Sequence, residues 1–318
     1  MMSNLMSVLR ASNDLLDALK SVPRSGAGAD SKQTAAVKRH VSAAYGVATN
    51  LMNESDLCWN WGMHRDDVRD ELRSKLNGKG LGESDGFSEE LYYYALRATQ
   101  KDAPRPRRML EVGCGPGRGL DLISRLEEGS SFVGLDLSPR AIEFANEHSA
   151  GSGRVKFVQG DAEALPFNDA EFDVVLNIES SHNYPHLERF FAEAVRVLKP
   201  GGYLVHADMM TSSFSEQLGR IRNDLAHAVD WLVDEDISEW VRNSIRTRME
   251  RNSYFRRTVR DCVALPGRLV IEPMMMNVYG NVFVSERNGF LSSMLRDQFN
   301  KVLRIDTYRL TVGRRTAV

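Results

Sequence analysis

A glycine-rich turn between an apolar strand and a helix constrains this chain more than any other segment. Residues 108–119 have the sequence Arg-Met-Leu-Glu-Val-Gly-Cys-Gly-Pro-Gly-Arg-Gly. A strand, a turn of this kind and a helix start together form a socket for a small ligand. Glycine lets the backbone approach the ligand closely, and the helix N-terminus offers free N–H groups. The segment therefore predicts a ligand site. The spacing of its glycines helps to identify the class of ligand.

Strands alternate with helices through the centre of the chain. The predicted strands are 109–112, 132–135, 155–158, 172–178 and 203–207, and the predicted helices between them are 119–128, 139–149 and 187–198. This alternation favours βαβ units and a parallel sheet covered by helices on both faces.

Less regular segments flank this core on both sides. Helical spacing is predicted over 3–20 and from 33 to about 98, with an interruption at 77–87, and again over 211–228 and 234–260. A short strand is predicted near 229–233, and a final strand over 302–312. We therefore predict an N-terminal helical cap over 1–104, a core over 105–210, and an acceptor-pocket extension with the final strands over 211–318.

The composition excludes several partners. The formal net charge is −2, so nothing in it points to nucleic acid. No segment approaches the roughly eighteen consecutive apolar residues of a membrane span, so we expect no membrane insertion. Cys58, Cys114 and Cys262 are isolated, and the first ten residues have no leader-like apolar run, which indicates a cytoplasmic protein. A homo-oligomer is compatible with these features.

The glycine spacing argues against a nicotinamide-dependent oxidoreductase. Its G-x-G-x-x-G fingerprint fails in both registers, because the sixth residue is Arg118 when counted from Gly113 and Leu120 when counted from Gly115. Acids follow the next two strands instead. Asp136 is placed to accept ribose hydroxyls, and Asp161 lies at the same sheet edge. For each acid alone, a helix cap or turn residue is the alternative.

Five segments in order resemble the class I S-adenosylmethionine-dependent methyltransferases. They are 111–117, 134–136, 160–167, 172–175 and 196–202. The resemblance implies a Rossmann-like, seven-stranded, mostly parallel sheet whose last strand is antiparallel. It also implies that the glycines face the methionine part of S-adenosylmethionine, that Asp136 holds the ribose and that Asp161 recognises the adenine. The implied cofactor-binding set is Glu111, Gly113, Gly115, Gly117, Asp136, Leu137, Asp161, Ala162 and Asn177.

The loop after the fourth strand holds the candidate base. Residues 177–185, Asn-Ile-Glu-Ser-Ser-His-Asn-Tyr-Pro, resemble methyltransferases of small natural products and glycolipids. A hydroxyl acceptor needs a base, and the pKa of histidine suits that role, so His182 is the candidate, with Asp208 after the next strand orienting it. The alternative for His182 is a loop residue that bonds backbone. Because Pro185 lies between His182 and His186, no metal site is expected.

Aromatic residues of the cap predict a lid or, alternatively, a helix packed on the sheet. The predicted substrate-pocket residues are Trp59, Trp61, Tyr92, Tyr184 and Met209. The sequence thus predicts an S-adenosylmethionine-dependent methyltransferase of secondary metabolism that acts on a hydroxyl of a small, fairly hydrophobic metabolite. N- or C-methylation, and a catalytically silent cofactor-binding partner, stay open.

Overall fold

The computed structural model describes residues 31–51, 60–77, 84–99, 105–148, 153–262 and 305–317. The helix predicted over 3–20, the pocket residue Trp59 and the start of the predicted final strand lie outside these ranges. In the part of the chain that is described, no helix has both the length and the hydrophobicity needed to cross a bilayer.

The described elements follow one another in three groups. The first contains α1 (Ser31–Leu51), α2 (Asp66–Lys75) and α3 (Phe87–Arg97). The second contains β1 (Arg108–Val112), α4 (Arg118–Leu126), β2 (Ser131–Asp136), α5 (Pro139–His148), β3 (Val155–Gln159), β4 (Phe172–Ile178), α6 (Leu187–Val197) and β5 (Leu198–Met210). The third contains α7 (Ser212–Asp224), β6 (Val229–Asp236), α8 (Ser238–Met249), α9 (Tyr254–Cys262) and β7 (Thr307–Arg315).

The seven strands form one sheet in the order β3-β2-β1-β4-β5-β7-β6. The pairs from β3 to β5 are parallel, whereas β7 is antiparallel to both β5 and β6. The predicted mostly parallel sheet with an antiparallel last strand is confirmed. The sheet begins with β1, continues on one side of it with β2 and β3, and then continues on its other side with β4, so the strand order reverses between β1 and β4. A sheet of this kind binds ligands outside the carboxyl ends of its strands at that point.

Strict alternation along the strands places apolar side chains on both faces. Met109 and Leu176 belong to one core cluster, with residues of α2, α3, α4 and α8. Leu110, Val112 and Val175 belong to a second cluster, with residues of α6 and α7. Successive side chains of a strand point to opposite faces, which explains why neighbours such as Met109 and Leu110 enter different clusters. The predicted helices on both faces are confirmed.

The C-terminal strands differ from their predicted bounds. The short strand predicted near 229–233 is the eight-residue β6, and the final strand is Thr307–Arg315 rather than 302–312. β6 lies at the sheet edge and alternates between covered and exposed residues, with acids on its exposed side. Asp234 there pairs with Arg222 and Arg309 at 2.6 and 2.7 Å. Charged residues are typical of an edge strand, and they weaken its apolar signal.

We expect opposite effects from adding one methyl group at two helical glycines. A Cβ at Gly119 would lie 1.9 Å from the Tyr92 ring, so Gly119→Ala should lower the free energy of unfolding by about 1–3 kcal/mol. At Gly219, within α7, no atom lies within 4 Å of the position that a Cβ would take. Gly219→Ala should therefore raise the free energy of unfolding by about 0.4–1 kcal/mol. Urea unfolding of both variants checks this, and equal effects would contradict the packing described here.

Candidate active site

A cleft that is open to solvent lies at the carboxyl ends of the central strands. Ligands of sheets of this kind bind at this edge. Three groups of residues form the wall of the cleft. The glycine loop and the start of α4 contribute residues 113–116 and 118–119, and the strand ends with the turns after them contribute 135–137, 160–162, 178–180 and 183–185. The cap helices contribute Lys38, Val41, Tyr45 and Tyr92. The predicted ligand socket is therefore one side of a cavity that the cap helices also line.

Two of the three loop glycines line the cavity. Gly113 has φ +76°, and a Cβ there would lie 1.8 Å from Ser180 Oγ, so the loop and the turn after β4 touch. Gly115 has φ +52° and open space on its side-chain face. Gly117 does not line the cavity, contrary to the prediction. It lies against β3, where a Cβ at this position would be 2.5 Å from the Phe157 ring. It also begins α4.

The Asp136 carboxylate is held rigidly at the cavity wall. Its Oδ2 accepts a hydrogen bond from Gly115 N at 2.9 Å, and its Oδ1 accepts one from Ser138 N at 2.8 Å. Burial raises its pKa, and these N–H bonds oppose that shift. Each carboxylate oxygen still has a second lone pair, so the group can accept two further hydroxyl hydrogen bonds. Leu137, beside it, also lines the cavity.

Asp161 is paired with a lysine that sequence reasoning missed. Lys38 Nζ on α1 lies 2.7 Å from Asp161 Oδ2 and 2.7 Å from Glu163 Oε2. Ala162, between the two acids, is buried in the wall. No local pattern identifies Lys38, because it meets Asp161 only through the tertiary fold, 123 positions away.

Further contacts hold α1 across the mouth of the cavity. The Asn183 side-chain amide donates to Tyr45 Oη at 3.0 Å, and Ser42 Oγ donates to the Leu137 carbonyl at 3.4 Å. Together with the Lys38 ion pairs, these contacts place the cap helix over the same strand ends as the glycine loop.

Two predicted cofactor residues lie behind the wall rather than in it. Glu111 is fully buried, accepts a hydrogen bond from Tyr92 Oη at 2.6 Å, and has its pKa raised to about 8 by burial. Asn177 donates to the Val112 carbonyl at 2.8 Å and to Tyr184 Oη at 3.0 Å. Both side chains therefore fix the loops around the cavity, while Tyr92 and Tyr184 line it.

The structure brings the predicted base and its partner together. His182 Nδ1 lies 2.8 Å from Asp208 Oδ1, and the His182 backbone N–H donates to Oδ2 at 3.0 Å. Ser181 Oγ donates to Oδ2 at 2.7 Å, and Met209 N donates to Oδ1 at 2.8 Å. Because Nδ1–H donates to the carboxylate, Nε2 keeps the lone pair that a general base requires.

Charge explains the pKa shifts of this pair. Burial alone would lower the pKa of His182, but the Asp208 charge and its hydrogen bond raise it overall. Burial alone would raise the pKa of Asp208, yet the charge of His182 and their hydrogen bond hold it below its usual range. Neighbouring His206 is also buried, and burial lowers its pKa to about 4, so it stays neutral.

His182 is reachable but does not line the described cavity. Its side chain is 17% exposed, and its Nε2 accepts a hydrogen bond from the Asn183 amide at 3.0 Å. Asn183 itself is part of the wall. A hydroxyl would therefore reach Nε2 only by replacing the Asn183 contact.

Two predicted substrate-pocket residues do not line this cavity. Trp61 is buried in the core, where its backbone N–H donates to Glu179 Oε1 at 2.7 Å and its backbone carbonyl accepts from Arg248 Nη1 at 2.8 Å. Met209 packs against the same core cluster. Glu179, which sequence reasoning left without a role, does line the cavity. Its place directly after β4, within the loop of the candidate base, was a usable signal.

Comparisons with known proteins agree with this arrangement. Residues 110–206 match the family described as "Methyltransferase domain". Residues 110–206 therefore form a methyltransferase domain.

Similar proteins extend the comparison beyond the domain. The chain is 41% identical over 147 residues to the phthiotriol/phenolphthiotriol dimycocerosates methyltransferase of Mycobacterium leprae, covering 46% of this chain and 53% of the relative. It is 39% identical over 166 residues to the fatty-acid O-methyltransferase of Mycolicibacterium smegmatis, covering 52% of this chain and 57% of the relative. The matches thus span about half the length of these curated relatives.

The solved structure of the cyclase SpnF has the same fold. It aligns with a TM-score of 0.62 and 20% identity over 88% of this chain and 97% of that chain. The methyltransferase domain therefore belongs to a fold that also occurs in a protein named for another reaction.

Asp208→Asn should lower the pKa of His182. With the carboxylate charge removed, burial dominates, and the pKa should fall below the ordinary 6.5. A pH titration of the ring resonances by NMR measures this. His186, which does not contact Asp208, serves as the internal control, and an unchanged His182 titration would contradict the described pair.

Proposed function

We propose that this chain transfers a methyl group from S-adenosylmethionine to a hydroxyl of a small, fairly hydrophobic metabolite. The observation that carries the proposal is the His182–Asp208 pair at 2.8 Å beside the cavity of the methyltransferase domain. The names of two relatives, one for phthiotriol dimycocerosates and one for fatty acids, favour apolar acceptors, and one of them names O-methylation.

The cavity residues fit this cofactor. Asp136 offers a fixed carboxylate that could accept two ribose hydroxyls, Asp161 and Ala162 would lie beside the adenine, and the open face of Gly115 would leave room for the methionine part. The cofactor supplies an activated methyl group on a cationic sulfonium. Acids such as Asp136 and Glu179 in the wall suit that charge, whereas a phosphate would favour the opposite one.

The protein's own part in the reaction is alignment and proton removal. Asp208 keeps His182 in the tautomer whose Nε2 is unprotonated. Asn183 would turn away from Nε2, and Nε2 would then take the proton of the acceptor hydroxyl. The α1 helix, held by the Lys38 and Tyr45 contacts, would keep water out of the cavity.

The same contacts support a division into three parts. We propose that residues 1–104 act as a cap over the cofactor, residues 105–210 bind it, and residues 211–318 complete the acceptor side. Contacts of α1 with the wall and of Tyr308 on β7 with Glu179 support this division.

Asp136→Ala should weaken binding of S-adenosylhomocysteine by about tenfold or more, since hydrogen bonds to a charged group contribute about 1.5–3 kcal/mol. Asp169→Ala is the matched control, because Asp169 is an exposed carboxylate that pairs with Arg196. Calorimetry on both variants measures the effect. A folded wild-type protein that binds no S-adenosylhomocysteine would contradict the proposed function.

His182→Ala should lower kcat for a hydroxyl acceptor by about 10²–10⁴, the usual contribution of a general base. The wild-type rate should fall as the pH drops through the His182 pKa, which lies above 6.5, because the protonated ring cannot accept a proton. Rates with hydroxylated and carboxylated lipids, with mass spectrometry of the product, measure both effects. Only a slight loss would favour an acceptor that needs no such base, such as a neutral amine, and a methylated nitrogen or carbon in the product would contradict O-methylation.

A further inference from the structure

Glu179 is an unusual acid in the wall of the cofactor cavity. It directly follows β4, is 8% exposed, and has φ +48°, a conformation that non-glycine residues rarely adopt. The next residue, Ser180, contacts the glycine loop at Gly113. A carboxyl group is thus held in a costly backbone conformation beside the loop that faces the methionine part of the proposed cofactor.

The hydrogen bonds of Glu179 leave one oxygen for a further contact. Its Oε1 accepts from Trp61 N at 2.7 Å and from Tyr308 Oη at 2.9 Å. Among the described residues, no donor contacts Oε2 and no lysine or arginine forms an ion pair with this carboxyl. A buried carboxylate without a cation is costly, so an ionised Glu179 needs positive charge from elsewhere.

The surroundings of Glu179 determine which protonation state it adopts. Burial raises its pKa to about 7, against the Trp61 and Tyr308 hydrogen bonds. Asp208 on β5 raises the pKa further, and His182 in the turn after β4 lowers it. The other charged side chains of the wall are Lys38, Arg118, Asp136 and Asp161. Near neutral pH, Glu179 is therefore divided between its two forms until a cation enters the cavity.

We infer that Glu179 is the charge partner of the cationic cofactor and releases its proton to solvent when that cofactor binds. This inference rests on the proposed function. It means that the site distinguishes the cationic methyl donor from the neutral thioether product by charge. A higher pH should favour the donor, because the proton competes with the sulfonium for the same carboxylate.

Calorimetry in buffers of different ionisation enthalpy counts the protons released on binding. At pH 7, S-adenosylmethionine should release about half a proton from Glu179, and S-adenosylhomocysteine should release none from it. Between pH 6 and pH 8, the affinity for the donor relative to the product should rise by about tenfold. Equal proton counts for the two ligands would overturn the inference without any variant.

Two glutamine variants separate a charge role from a structural one. Glu179→Gln keeps an acceptor for Trp61 N and Tyr308 Oη, so it should keep the fold but lose the difference in proton release. Glu90→Gln is the matched control, because Glu90 is also buried with a pKa of about 7 but bonds Arg65 and Arg69 outside the cavity. Glu90→Gln should keep the difference.

The outcomes distinguish this inference from the proposed function. If neither ligand binds the wild-type protein, the proposed function fails and the inference fails with it. If both bind but Glu179→Gln releases protons as the wild type does, another group such as His182 is the source and only the inference fails. Circular dichroism verifies that each variant is folded.

Discussion

The contact between Gly113 and Ser180 is the constraint on which the site depends. It joins the loop after β1 to the turn after β4, and no side chain fits between them at position 113. β1 and β4 are neighbours in the sheet, so their loops meet at its carboxyl edge. In the proposed reaction, the first loop would hold the cofactor, and the second carries Glu179 and His182. Binding and chemistry would thus be aligned by the close approach of Gly113 to the Ser180 side chain.

The second constraint is that the buried carboxylate of Asp208 has hydrogen-bond partners on both of its oxygens. Asp208 is completely buried, yet its two oxygens receive the Ser181 hydroxyl, two backbone N–H groups and the His182 ring. A buried carboxylate is tolerated when it is hydrogen-bonded and paired in this way. Its position on β5 is set by the sheet, so the ring orientation of His182 follows from the fold rather than from the loop alone.

Local patterns predicted the elements that carry local signals. The βαβ core, the glycine turn, Asp136 and the His182–Asp208 pair all follow from strand ends and spacing, and the fold confirms the sheet they imply. Lys38 and Tyr45 could not be predicted, because only the tertiary path of α1 brings them to the cavity. The length of the edge strand β6 was underestimated, because the acidic residues on its exposed face weaken the apolar signal of the strand. The sequence could not separate two roles for Trp61, because an aromatic residue packs equally well in a pocket wall and in a hydrophobic core.

The fold alone does not determine the reaction, since it also occurs in a protein named as a cyclase. In the proposed reaction a cation would enter the cavity and a neutral molecule would leave, so the site would have to accommodate a change of charge. His182 and Glu179 flank Ser180 and Ser181 on one turn, and their opposite charges would cancel if both ionised at once. In the proposed reaction, a cation bound beside Glu179 would offset the carboxylate charge that raises the pKa of His182. The neutral imidazole is the form that can accept a proton, so the bound donor would keep more of His182 in the form that the proposed base requires.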